Sequence, residues 1–167
     1  DPLSSAPADK IPLAVPSFGK KEVSAAIETL LSGWITMGPL VHSFEKKWAE
    51  EIGVSHAVAV NSGSSALLVM LTALVQTGRI APDTEVVVPA VGWSTSLFSV
   101  LQAGLKCVLV DVDPETLSLS GTFTQPVLAI HMLGAPAQVK APLLLEDACG
   151  AHGARLGGKK VGSLGAC

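Results

Sequence analysis

The sequence predicts an α/β fold: a mostly parallel central sheet with helices on both faces. Three observations lead there. Short runs such as Glu85–Val88 (EVVV), Lys106–Val110 (KCVLV) and Val127–Ile130 (VLAI) are almost continuously apolar, as strands buried on both sides are. Segments with apolar residues at helical spacing stand between several of the strands. The composition is that of a packed chain, with 49% apolar and 15% charged residues among 167.

Taken in order, residues 1–10 (DPLSSAPADK) lack periodicity and read as a flexible N-terminal arm, leaving 11–167 as one domain. Val23, Ile27, Leu30 and Leu31 mark a helix over Lys20–Ser32, closed by Gly33. A second helix is expected over Val41–Ile52, with Phe44 and Trp48 on its apolar face. His56–Val60 (HAVAV) reads as a buried strand, followed by the apolar helix Ser64–Gln76. After EVVV comes a helix over Ser94–Ala103, then KCVLV, VLAI and a last strand at Leu143–Leu145.

Two connections fit this scheme poorly. DVDPETLSLSGTFTQP links Val110 to Val127, and HMLGAPAQVKAP links Ile130 to Leu143. A parallel crossover usually takes a dozen residues or more and a helix. Neither link has a helical pattern, so either the connections are lean or helical residues are absent from the sequence.

Composition narrows the function. A net charge of -3, with no Lys or Arg run beyond two, argues against nucleic acid and against an anionic membrane. The apolar stretch Ala66–Val75 is too short to span a bilayer. Cys107, Cys149 and Cys167 are odd in number and show no metal-ligand spacing, which suggests reduced thiols in a cytoplasmic setting and no metal site.

Three segments carry chemistry. Asn61-Ser62-Gly63-Ser64-Ser65-Ala66 opens a helix after a strand-like run, where backbone N–H groups and small hydroxyls capture a phosphate or simply cap the helix. Trp93, in Pro89–Thr95, falls at the carboxyl end of a strand, where an indole stacks on a flat ring or joins the core. Glu146-Asp147 follows the last apolar strand; a carboxylate there can pair with a protonated ring nitrogen, or with a metal or ribose.

The order NSGSSAL, VVVPAVGWSTS, VLVDVDPETLSLS, AIHMLGAP, LLLEDACGAHGARLGGKKVGSLG resembles the sugar aminotransferases that use pyridoxal 5'-phosphate (PLP), the DegT/DnrJ/EryC1/StrS type. It is similar also to the 3-dehydratases of deoxysugar synthesis. The upstream phrase SGWITMGPLVHSFEKKWAEEIGV fits as well, so the resemblance covers about residues 11–166.

The resemblance implies the large domain of an aspartate-aminotransferase-like, fold type I PLP enzyme, incomplete at its C-terminus. It places Ser64 and Ser65 on the cofactor phosphate, Trp93 on the pyridine ring and Asp147 at the pyridine nitrogen. His131, Glu146 and Gly63 are expected around these. Where the family usually has Gln or His three residues after the aspartate, this chain has Gly150. The family's Schiff-base lysine would lie beyond Cys167, so no catalytic residue is assigned; Lys159 and Lys160 read as an exposed hairpin turn. The implied function is amino transfer from an amino-acid donor to a keto-sugar nucleotide in a homodimer, this chain being catalytically incomplete. The alternatives are a 3-dehydratase and a non-catalytic, shortened binding domain.

Overall fold

The computed structural model describes residues 17–166, so the expected arm at 1–10 lies outside the described residues, as does Cys167. The chain divides into two units, one ending at Phe44 and one beginning at Glu45.

In the first unit, helix α1 spans Lys20–Leu31, and Glu22 Oε2 accepts the Gly19 N–H at 2.6 Å to start it. The periodic residues that predict this helix are exposed, Leu31 at 82%. Helix α2, Pro39–Ile52, begins in this unit and runs into the second.

The second unit holds a four-stranded parallel sheet. Its strands are β1 (Glu85–Pro89), β2 (Lys106–Val110), β4 (Val127–Ile130) and β6 (Leu144–Asp147), in the order β2-β1-β4-β6. Helix α3 (Gly63–Gln76) precedes β1, and α4 (Ser94–Gln102) links β1 to β2. Side chains alternate between faces along each strand. Val86, Val88, Leu128 and Leu145 therefore pack with Leu67 and Leu71 of α3 and Val100 of α4. Val87, Val127 and Ala129 face the other way, onto Leu119 and Ala137.

That second face is covered differently from the expectation. The two lean links contribute no α-helix; each gives one strand of a small parallel sheet, β3 (Ser120–Thr122) and β5 (Gln138–Lys140). Three-residue strands use less chain than a helical turn and return. They also tolerate the prolines that bound each link.

Two strand expectations need correction. Residues 56–60 form no strand, and Val58 and Val60 are exposed at 74% and 41%. An apolar run becomes a strand only against a partner, and the outer edge of β6 is met instead by Ala166, whose N–H donates to Leu144 O at 2.8 Å. An open slot of about 890 Å³, lined by Val58, Val60, Val69, Met70 and Ala166, lies beside the unpaired segment. The last strand is Leu144–Asp147 rather than 143–145, so Glu146 and Asp147 belong to β6 itself and point to opposite faces.

Candidate active site

Parallel strands bring their carboxyl ends to one edge, and the predicted site residues gather along it. Helix α3 starts at Gly63 with Ser62 as its cap: Ser62 Oγ accepts the Ser65 N–H at 3.2 Å. The Ser62 hydroxyl in turn lies 3.1 Å from Ser65 Oγ, so Ser65 is engaged within the turn while Ser64 is exposed. With the Ser65 N–H capped by Ser62 and the Ala66 N–H bonded to Ser62 O at 3.0 Å, the Gly63 and Ser64 N–H groups are those placed to face an anion.

Gly63 ties this turn to β6. A Cβ at position 63 would lie 2.8 Å from Cys149 Sγ, so the turn seats directly against this side chain, and a larger residue here would have to displace the thiol. Cys149 is two residues past Asp147, and its N–H donates to Asp147 Oδ1 at 3.1 Å. Burial pushes the Cys149 thiol upward, and the Asp147 charge and hydrogen bond add to this.

Trp93 sits just ahead of α4 and is 80% exposed, which removes the core-tryptophan alternative. Its turn is held by Gly92, where a Cβ would meet Ile130 Cδ1 at 2.5 Å, at the carboxyl end of β4. His131 follows and is 1% exposed. Its Nδ1 accepts the Ala137 N–H at 3.0 Å, so the ring proton must be on Nε2, which donates to Glu146 Oε2 at 2.9 Å. The His131 N–H also donates to Asp147 O at 3.0 Å.

Glu146 accepts three further bonds, from backbone N–H groups that the sequence reading does not assign to it. Gly162 donates to Oε2 at 2.8 Å; Leu164 and Gly165 donate to Oε1 at 2.7 and 2.6 Å. Burial raises this carboxyl's pKa, but the His131 bond and the three N–H bonds outweigh burial and hold it below the ordinary 4.5. The sequence signal for these donors is the glycine-bracketed GSLG phrase, whose backbone can approach a carboxylate closely.

Elsewhere, Arg155–Leu156 (β7) and Lys159–Lys160 (β8) form the expected hairpin, turning through Gly157 and Gly158 at positive φ. Lys160 Nζ bonds to the Glu51 carboxylate and carbonyl, and Lys159 is exposed. Lys159 lies in solvent, and Lys160, though its side chain is only 19% exposed, has its ammonium engaged by Glu51, so neither presents a free amine. His152 packs edge-on against Trp48, with ring centroids 5.1 Å apart. At Gly150, a Cβ would find nothing nearer than Leu133 N at 4.0 Å, so the missing side chain is not excluded by space. Among the described residues, no helix is long and apolar enough to cross a membrane.

The fold and this edge define an α/β protein with its candidate ligand site at the carboxyl ends of a parallel sheet. The chain belongs to the DegT/DnrJ/EryC1/StrS aminotransferase family, whose model matches residues 16–167. It is 37% identical to a GDP-4-keto-6-deoxy-D-mannose 3-dehydratase of Yersinia pseudotuberculosis, over 92% of this chain and 44% of that protein. The structure is similar to an E. coli GDP-4-keto-6-deoxy-D-mannose-3-dehydratase solved with bound hydrated PLP: TM-score 0.82, 31% identity, 93% of this chain and 45% of that one. It is also similar to an aminotransferase from Psychrobacter cryohalolentis: TM-score 0.76, 26% identity, 90% of this chain and 42% of that one. The fold is thus that of the fold type I PLP enzymes, in part, and the chain spans less than half the length of these relatives. The 173 aligned residues exceed the 167 of the chain, so the Yersinia protein carries residues inside the matched span that are absent here.

Proposed function

We propose that this chain supplies the cofactor-binding part of a PLP-dependent enzyme acting on a keto-sugar nucleotide, by transfer of an amino group from an amino-acid donor. The observation that carries the reading is the seating of the α3 N-terminus against Cys149, two residues from Asp147, on the strand edge that also exposes Trp93. The donor set suits a flat phosphorylated pyridine. Ser64, Ser65 and the first N–H groups of α3 would hold the phosphate. The Trp93 face would stack on the ring, and the Asp147 carboxylate would keep the pyridine nitrogen protonated. When bound, PLP supplies an electron sink for negative charge developing beside the reacting nitrogen. His131 and Glu146 take no proton in this scheme, since their polar atoms are already engaged.

A second reading, 3-dehydration of the same class of substrate, is favoured by one observation. Identity is higher to the 3-dehydratases, at 37% and 31%, than to the Psychrobacter aminotransferase, at 26%. A third reading, a non-catalytic binding domain, draws on Gly150 and the helix-free links. A homodimer in the cytoplasm completes the proposal; the exposed Leu31 and Ile35, at 82% and 74%, and the free Cys107 and Cys149 support it.

The test is incubation of the full chain with PLP, glutamate and a keto-sugar nucleotide, with products read by mass. Amino sugar supports transfer, and loss of water at the 3-position supports dehydration. Tight PLP binding with neither product supports the cofactor-binding part proposed here, and no PLP binding supports the non-catalytic domain and overturns the reading.

A further inference from the structure

Glu146 is where three chain segments meet: strand β6, the end of β4 through His131, and the loop 162–165. Both carboxylate oxygens are doubly used, and the side chain does not reach solvent. On its outer side β6 has no strand neighbour among the described residues, only the Ala166–Leu144 bond. The register of its carboxyl end is therefore set by two things, the ladder to β4 and the capture of Glu146. The next residue in that strand is Asp147, whose carbonyl accepts from the same His131 that donates to Glu146.

We propose that Glu146 is a positioning residue: it ties the loop 162–165 to β6 and thereby sets the placement of Asp147 at the cofactor. The inference rests on the proposed PLP site. Its chemistry is specific to a carboxylate. Four donors converge on two oxygens, and none of them can reverse its role. Three are backbone N–H groups, and His131 cannot turn its ring proton away because Nδ1 is held by Ala137. A glutamine at 146 has one acceptor oxygen, and its NH2 group would face two donors. The shape is kept and half the acceptor capacity is lost.

The test uses the full chain and two variants. Glu146→Gln alters the clamp, while Gly165→Ala pushes the loop off the Leu144 carbonyl and leaves both acidic residues in place. Amide exchange at Gly162, Leu164 and Gly165 is followed without cofactor, and PLP binding by equilibrium dialysis and by the absorbance band of bound PLP. Exchange at the loop is expected to quicken about tenfold in each variant. PLP should bind about tenfold more weakly in each, with a shifted absorbance band, because loss of a charge-assisted bond is worth about that much. A looser loop with unchanged PLP affinity and spectrum in either variant overturns the coupling and leaves Glu146 a purely structural group. Unchanged exchange in Glu146→Gln overturns the clamp itself. Failure of the unaltered chain to bind PLP overturns the functional reading, and the coupling with it, whereas normal binding in Glu146→Gln overturns this inference alone.

Discussion

His131 Nε2 donates to Glu146 Oε2 across 2.9 Å, with the two side chains 1% and 0% exposed. Loss of the imidazole would leave the Ala137 N–H without its acceptor in a buried position and take one donor from the carboxylate. His131→Leu is therefore expected to cost about 2–4 kcal/mol of unfolding free energy. Urea denaturation measures it, and a cost near zero would mean that the pair contributes nothing to the fold.

The same carboxylate makes stability pH-dependent with a definite sign. Its folded-state pKa is depressed below the ordinary 4.5, so the unfolded chain takes up the proton first as pH falls. The stabilisation it provides is complete above the ordinary value and lost as pH drops through the lower folded one. Glu146→Gln should thus be less stable than the parent by about 2 kcal/mol at pH 7. The gap should narrow steadily below pH 4.5. Denaturation series from pH 7 to 3 check this, and a constant gap contradicts it.

Two glycines make a paired prediction. A Cβ at Gly165 would overlap the carbonyl of Leu144, a backbone group that cannot step aside. Gly165→Ala should cost about 1–3 kcal/mol. Gly150→Ala has open space, with no atom nearer than 4.0 Å, and should change stability by less than about 0.5 kcal/mol. Equal effects at the two positions in urea titrations would contradict the packing described for the 162–165 loop.

Trp93 separates binding from folding. At 80% exposure its removal should leave the unfolding midpoint almost unchanged, with Trp93→Ala within about 0.5 kcal/mol of the parent. PLP affinity should fall in Trp93→Ala and largely return in Trp93→Phe, which keeps an aromatic face. A PLP titration of both variants distinguishes this from an indole with no ligand.

Much of the fold was legible because the apolar pattern and the burial coincide. Lys106–Val110 and Val127–Ile130 are strands with the expected ends, and α3 and α4 lie within a residue of expectation. His56–Val60 failed because pattern alone does not reveal whether a partner strand is present to complete the ladder. β3 and β5 escaped notice because three residues such as Ser120-Gly121-Thr122, all exposed, carry no periodic signal. The placement of Ser64, Trp93 and Asp147 at helix and strand ends was legible from the order of the elements. The Glu146 clamp was not, because three of its four donors are backbone N–H groups, which leave no side-chain signature.

The central claim is that Asp147 and the start of α3 hold PLP. Equilibrium dialysis of PLP against the full chain and Asp147→Asn, which keeps the shape and removes the charge, tests it most directly. The account predicts saturable binding by the unaltered chain and a loss of about tenfold or more in the variant. Equal affinity of the two chains, or no binding by either, would contradict it.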